Sequence, residues 1–306
     1  MTSTDRTNLA KGLAFLSPWL AGFLLFTLLP IILSSYYSLC DYSLLQPPLY
    51  VGMNNYKELF NDSLFWKSLV NTLIYASLAL PSAMCISVGL ALLLNSKIKY
   101  QSVYRTIIFL PSLVPIVASS MVWLWLLNSK LGLVNNILRV VGITGPDWLH
   151  AILFRVHSTP EDFIFSWAMP SLVFMSLWGV GYTVVIYLAG LQDIPAEMYE
   201  AAELDGAGPL SRLRNVTLPM LSPVIFFNLI MAIIGTLQVF ALPYIMTSGG
   251  PARATYFFTM YLYDNAFVFL RMGYASAMAW IQLLMILFLT AIAFWTSKRW
   301  VHYQGK

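Results

Sequence analysis

Charge is what this chain has least of. It carries 17 Lys and Arg and 13 Asp and Glu in 306 residues, a 10% charged share, where a soluble globular domain carries roughly 25%. Hydrophobic residues make up 59% and the mean hydropathy is +0.72. So little polar surface cannot wrap one water-facing core, so the bilayer is the solvent. A soluble enzyme, a disordered chain and a nucleic-acid binder are excluded together. Cysteine is scarce too. Cys40 and Cys85 fall at different depths of the predicted helices, which excludes a disulfide between them. No H-E-x-x-H, C-x-x-C, G-x-S-x-G or dinucleotide glycine pattern occurs, and His150, His157 and His302 lie in loops. Nothing here assigns a metal ligand, a catalytic residue or a nucleophile.

What is present is a set of six apolar runs, each about the 20 residues that a helix needs to cross the hydrocarbon. They fall at 13 to 35, 70 to 94, 106 to 127, 166 to 190, 222 to 245 and 272 to 296, and none contains Asp, Glu, Lys or Arg. Runs this long without alternation predict helices rather than a β-barrel. The fold class is therefore all-α, a polytopic membrane protein with six transmembrane helices. The first run is longer than a signal-peptide core and is followed by Pro30, Tyr36 and Tyr37 rather than a small-residue cleavage site, so it is read as a retained helix. Eight prolines sit in the spans: Pro18, Pro30, Pro81, Pro111, Pro115, Pro170, Pro223 and Pro243. Each frees a carbonyl and predicts a kink.

Six spans put both termini on one side. Assigning that side to the cytoplasm gives it Arg6, Lys11, Lys97, Lys99, Arg105, Arg212, Arg214, Lys298, Arg299 and Lys306. The longer outer segments hold only Lys57, Lys67, Lys130, Arg139, Arg155, Arg253 and Arg271. This is the sense of the positive-inside bias, and it predicts cytoplasmic termini. The net charge of +4 then reports topology and lipid contact rather than nucleic acid.

The longest inner loop, 191 to 221, reads LQDIPAEMYEAAELDGAGPLSRLRNVTLPML and holds five of the six acids assigned to that face. Ala196 to Leu204 are strong helix formers after Pro195. Gly206, Gly208 and Pro209 break that helix, and a second one can start near Leu210 and should end by Leu218 and Pro219. Met198, Ala201, Ala202 and Leu213 are available to bury, and Glu197, Glu200, Glu203, Arg212 and Arg214 to pair. The result is a compact helix, turn, helix unit that could dock on another protein.

The full spacing, Glu200-Ala201-Ala202, three residues, Gly206, nine residues, Val216-Thr217-Leu218-Pro219, resembles the EAA loop of binding-protein-dependent ABC importers, including the Asp205-Gly206-Ala207 continuation. Val216 stands where that pattern usually has Ile, and Leu213 where an aromatic is frequent. Leu110-Pro111 with Pro115 and Trp123, Thr247 to Pro251 (TSGGP), and Gly273-Tyr274-Ala275-Ser276-Ala277 resemble signatures of the maltose and glycerol-phosphate permease branch. The resemblance implies a type I ABC importer permease fold, with an ABC transmembrane type-1 domain over 68–296 and its coupling loop at 195–219. Residues 1–67 would be a cytoplasmic tail, first helix and outer segment added to it, and 297–306 a cytoplasmic tail.

By the same resemblance, Glu200, Ala201, Ala202, Asp205, Gly206, Leu218 and Pro219 would couple the chain to an ATPase. Glu200 would pair with a basic or hydrogen-bonding group, Ala201 and Ala202 would permit close approach, and Gly206 would make the turn. Sugar contacts in related permeases come from the helices flanking the coupling loop, which here singles out Trp178, Gly179, Tyr182, Thr236 and Gln238, near Ser176, Thr183 and Asn228. The expected function is translocation of a carbohydrate or glycerol-phosphate-type solute across a prokaryotic inner membrane. The partners would be a second permease, two ATP-binding cassette subunits and an external solute-binding protein. This chain has no G-x-x-x-x-G-K-[ST] loop, so ATP would sit on the partner ATPase and the chain itself would need no cofactor. A gradient-driven secondary transporter is the alternative, and it would usually require an ionisable group at mid-membrane that the spans lack.

Overall fold

Inside hydrocarbon a backbone must satisfy its own hydrogen bonds, and these apolar runs do so as helices. The computed structural model describes residues 3–96, 99–156 and 163–302; Lys97, His157 and Lys306 lie outside them. In chain order the helices are α1 (Lys11–Tyr37), α2 (Asn54–Asn61), α3 (Ser63–Asn95), α4 (Gln101–Leu113), α5 (Ile116–Leu126), α6 (Leu133–Val140), α7 (Ala168–Trp178), α8 (Gly181–Gln192), α9 (Ala196–Leu204), α10 (Pro209–Leu237), α11 (Ala241–Met246), α12 (Phe258–Tyr263) and α13 (Met272–Ser297). Helices α1, α3, α10 and α13 are each long and apolar enough to cross a membrane, and the number rises to six when each of two bent pairs is taken as one span. Two antiparallel two-stranded ribbons are the only strands among the described residues: β1 (Cys40–Asp41) with β2 (Leu49–Tyr50), and β3 (Ile152–Val156) with β4 (Phe163–Ser166).

Three of the expected spans are broken. The third, expected over 106 to 127, is α4 and α5 meeting at 98°. The cause is Pro115, which holds Val114 extended (ψ 127°) and so stops the helix one residue before itself. The fourth, expected over 166 to 190, is α7 and α8 meeting at 50°. No proline lies at that bend. It falls at Trp178-Gly179-Val180, where glycine weakens the helix. The fifth, expected over 222 to 245, is α10, which ends at Leu237, an irregular stretch 238 to 240, and then α11 with Pro243 in its first turn.

The second helix of the inner loop was expected to end by Leu218 and Pro219. Instead it runs on as α10, through a π turn at Leu213–Thr217. Proline has no N–H and its ring collides with the carbonyl four residues back. The wider turn relieves this: the Leu218 N–H donates to Leu213 O, five residues back, just before Pro219. The same device stands in α1, where a π turn at Leu24–Leu28 precedes Leu29-Pro30 and the Leu29 N–H donates to Leu24 O. Pro81 and Pro223 are carried inside α3 and α10. At these two positions proline does not end the helix.

The chain divides into two compact units. One is Met1–Asp62 with Leu262–Leu283, the other Ser63–Tyr261 with Leu284–Lys306. In the first, no residue in the most apolar stretch of α1 is buried. Asn55, buried on α2, donates from Nδ2 to Ser38 O (2.9 Å) and Cys40 O (2.8 Å). Gly273 opens α13 against the same segment: a Cβ there would overlap Cys40 O, and its N–H donates to Tyr42 O (3.1 Å). The Arg271 guanidinium donates to Glu58 Oε1 (2.6 Å) and lies over the Tyr274 ring, whose hydroxyl donates to Asp62 (2.7 Å). The sequence elements around Asn55 and Gly273, more than 200 residues apart, form one cluster.

The second unit holds two cores. One gathers Tyr75, Trp123, Leu172, Met175, Leu242 and Phe257; the other gathers Leu94, Val184, Tyr187, Leu191 and Leu221. Lipid gives no hydrophobic incentive for helices to associate, so close contact decides. Gly190 supplies it between α8 and α10: a Cβ would come within 2.8 Å of Val224 Cγ2. The TSGGP stretch is a closed turn. Gly249 has φ +82°, the Thr255 hydroxyl donates to Gly250 O (2.6 Å), and Thr247 and Thr255 share a 2.7 Å hydrogen bond. Asn71 of α3 donates to Arg253 O (2.8 Å), and the hydroxyl of Thr72 accepts from the Phe258 N–H (2.8 Å), which pins that turn to the helix.

Candidate functional sites: a cavity at three helix breaks and an exposed helical segment

The three broken spans converge. A cavity of about 650 Å³ is lined by Pro111, Ser112 and Val114 from the first break, Ser176, Trp178 and Gly179 from the second, and Gln238, Val239, Phe240 and Ala241 from the third. Tyr75 of α3, Ile116 and Ser119 of α5, Met175 of α7 and Leu242 of α11 complete it. Irregular backbone is tolerated at membrane depth where it lines a cavity rather than lipid. The breaks are locked by glycine. A Cβ on Gly181 would fall 2.7 Å from Ile108 O and 2.9 Å from Phe109 Cα, so the start of α8 rests directly on the backbone of α4.

No lining residue carries a charge. The side-chain polar groups are hydroxyls, one carboxamide and the Trp178 indole N–H. Ser112, Ser119 and Ser176 each donate to a carbonyl three residues back, on Phe109 (2.6 Å), Ile116 (3.0 Å) and Val173 (2.6 Å). Each oxygen is left with acceptor capacity toward the cavity. Gln238 is exposed at the end of α10, and the Trp178 ring stands edge-on to Trp123 at 6.0 Å. Flat aromatic faces with neutral donors and acceptors suit an uncharged, hydroxyl-rich solute better than an ion. Among the described residues no group of three or more His, Cys, Asp and Glu side chains could hold a metal.

Of the residues singled out from sequence, Trp178, Gly179 and Gln238 line this cavity. Tyr182 stands edge-on to Phe109 at 5.1 Å, outside the lining, and is 55% exposed. Thr236 lines a separate apolar groove between α3, α10 and α13, and its hydroxyl donates to Ala232 O (2.7 Å). Sequence reasoning missed Tyr75, Ser112 and Ser119. Pro111 and Pro115, whose break carries Ser112 to the cavity, were the available signal.

The second site is α9 together with the turn that caps it. Here the Ala-Ala-x3-Gly spacing has a geometric meaning. The Gly206 N–H donates to Glu203 O (3.0 Å) and the Ala207 N–H to Ala202 O (2.9 Å), the paired bonds of a Schellman cap. That cap requires a left-handed residue four positions after Ala202, and Gly206 has φ +75°. Tyr199 and Thr217 share a 3.2 Å hydrogen bond that fastens α9 to the π turn of α10. Sequence reasoning missed Tyr199. Arg212 pairs with Glu203 at 3.5 Å.

The other face of α9 is left uncovered by the described residues. Glu200, Ala201 and Asp205 are exposed, as are Met198 (44%), Leu204 (90%) and Leu210 (77%). Met198 and Ala201, expected to be available to bury, are not buried by this chain, because α9 turns its Tyr199 and Ala202 side inward. Leu218 and Pro219 sit half-buried inside α10, directly after the π turn.

Comparison with known proteins places both sites in context. The model of the family described as "Binding-protein-dependent transport system inner membrane component" matches residues 83–302. The probable ABC transporter permease protein YesP of Bacillus subtilis is 38% identical, covering 99% of this chain and 95% of that protein. The lactose transport system permease protein LacF of Rhizobium radiobacter is 33% identical over 97% of this chain and 99% of its own. A chain in the crystal structure of a bacterial alginate ABC transporter, in complex with an alginate pentasaccharide-bound periplasmic protein, has the same fold. Its TM-score is 0.82 at 24% identity, covering 97% of this chain and 96% of that one.

Proposed function

Because the chain belongs to the binding-protein-dependent transport system inner membrane components, and is the permease of an ATP-binding cassette importer, we propose that its cargo is a carbohydrate, passed through the cavity at the three helix breaks. The observation that carries the reading is the cavity's lining: aromatic faces, three serine hydroxyls and Gln238, without a charge. The lactose permease relative supports the same class. A cavity of this kind lacks the mid-membrane ionisable group that ion coupling usually needs, so energy enters elsewhere.

It enters through α9. Its Glu200, Ala201, Asp205 and Leu204 surface seats in a cleft of an ATPase subunit, and Gly206 with the π turn before Leu218 and Pro219 transmits the movement to α10. Closure of two ATPase subunits around ATP, which they and not this chain hold, shifts the helices by rigid-body rearrangement. A second permease completes the pathway, and an external solute-binding protein delivers the cargo. Both termini face the cytoplasm, residues 68–296 act as the transport domain, and the chain catalyses no reaction of its own. Reconstitution tests this: the assembled complex in vesicles should hydrolyse ATP faster when its loaded binding protein is added and accumulate labelled sugar inside. Sugar uptake by this chain alone, driven by an ion gradient, would sink the reading.

A further inference from the structure

Helix α6 (Leu133–Val140), in the loop between the third and fourth spans, is turned the wrong way round for water. Asn135 is its buried residue, at 2% exposure. Its Nδ2 donates to Ser129 O (3.0 Å) and Pro146 O (3.1 Å), and its Oδ1 accepts from Trp148 Nε1 (2.7 Å). Gly145 packs so closely that a Cβ there would overlap the Asn135 carboxamide. The polar side of the helix is thus fastened to its own loop. Leu133, Ile137 and Val140, spaced i, i+4, i+7, share one face, and they are 46%, 57% and 90% exposed, with Val141 just beyond at 70%. A contiguous apolar stripe of this kind marks contact with an apolar phase.

Two observations identify that phase. Helix α6 touches α5, the second half of the broken third span, whose own Met121, Val122 and Trp125 are exposed. The loop around it also carries an aromatic pair, Trp148 edge-on to Trp167 at 5.5 Å, immediately before α7 enters the membrane. Tryptophan favours the membrane–water boundary. Arg139 is kept off the stripe, its guanidinium donating back to Lys130 O (3.0 Å) and Ser129 O (3.3 Å). We infer that α6 is an interfacial helix, lying in the plane of the bilayer with Leu133, Ile137 and Val140 sunk among the lipid headgroups and upper acyl chains, where it sets the depth of the broken spans on either side of it. The inference rests on the chain's membrane setting and not on the identity of the cargo.

Spin labels read this directly. In a Cys40→Ser, Cys85→Ser background of the complete transporter in phosphatidylethanolamine and phosphatidylglycerol vesicles, single labels are placed by Ile137→Cys, Val140→Cys and, as an exposed control, His150→Cys. At a depth of about 5–10 Å, dissolved oxygen should relax labels 137 and 140 more than a water-soluble nickel complex does, with the ratio inverted at 150. If nickel relaxes 137 and 140 as well as it relaxes 150, the stripe is in water. If neither reagent reaches them, protein covers the stripe. Either result overturns the inference.

Discussion

Helix α9 with its cap, and the cavity at the helix breaks, build their geometry over opposite distances along the chain. Ala202 and Gly206 are four residues apart, and the whole cap closes with two backbone bonds inside 202 to 207. The cavity draws on residues from 75 to 242, and none of its three breaks has meaning without the other two. A local hydrogen-bonding motif imposes residue types at fixed offsets, so it survives as a spacing. A convergent one leaves only isolated prolines and glycines whose relation exists in space.

That contrast can be broken, and the largest lever is where the breaks meet. Gly181→Val puts a branched side chain where even a Cβ falls 2.7 Å from Ile108 O. Overpacking of this kind costs about 1–3 kcal/mol, and it should lower the thermal unfolding midpoint of the purified complex; an unchanged midpoint would show that the two bends are not locked together. Next comes the cap. Gly206→Val forces a left-handed backbone on a branched residue, a cost of about 1–2 kcal/mol. ATPase stimulation and uptake should fall together, while Gly206→Asn, which tolerates φ > 0, keeps most of both. Equal loss in the two variants would mean that the glycine acts through something other than its φ.

Smaller effects sharpen the cavity's outline. Gln238→Ala removes one donor and acceptor from the lining, worth about 0.5–1.5 kcal/mol, and should raise the half-saturating concentration of loaded binding protein or slow uptake severalfold with assembly intact. Thr236→Val should change neither, because that hydroxyl already bonds Ala232 O and faces a different groove. A transport defect from Thr236→Val as large as that from Gln238→Ala would move the pathway toward α13.

Particular residues show how much was legible. The six apolar runs predict the six spans because hydrocarbon admits so few backbone solutions. Which prolines end a helix was not legible: Pro115 breaks the third span while Pro81 and Pro223 stay inside continuous helix. At the cap, Gly206 was legible from spacing, whereas Tyr199, two residues before Ala201, was not, since its partner Thr217 lies on the next helix. Trp178, Gly179 and Gln238 reach the cavity because each sits at a break. Tyr182 and Thr236 lie inside regular helix, one turn or less away, and face elsewhere.

The π turn at Leu213–Thr217 also acts as an angular offset. Holding one residue more than the α turn it replaces, it sets every side chain beyond it back by roughly 100° from where an unbroken α-helical wheel would draw it. Leu210 and Arg212 on one side, and Asn228 and Thr236 on the other, therefore do not fall where a single helical wheel would draw them. Deleting one position from 213 to 217 would return the turn to α geometry and leave the membrane half of α10 facing the same neighbours.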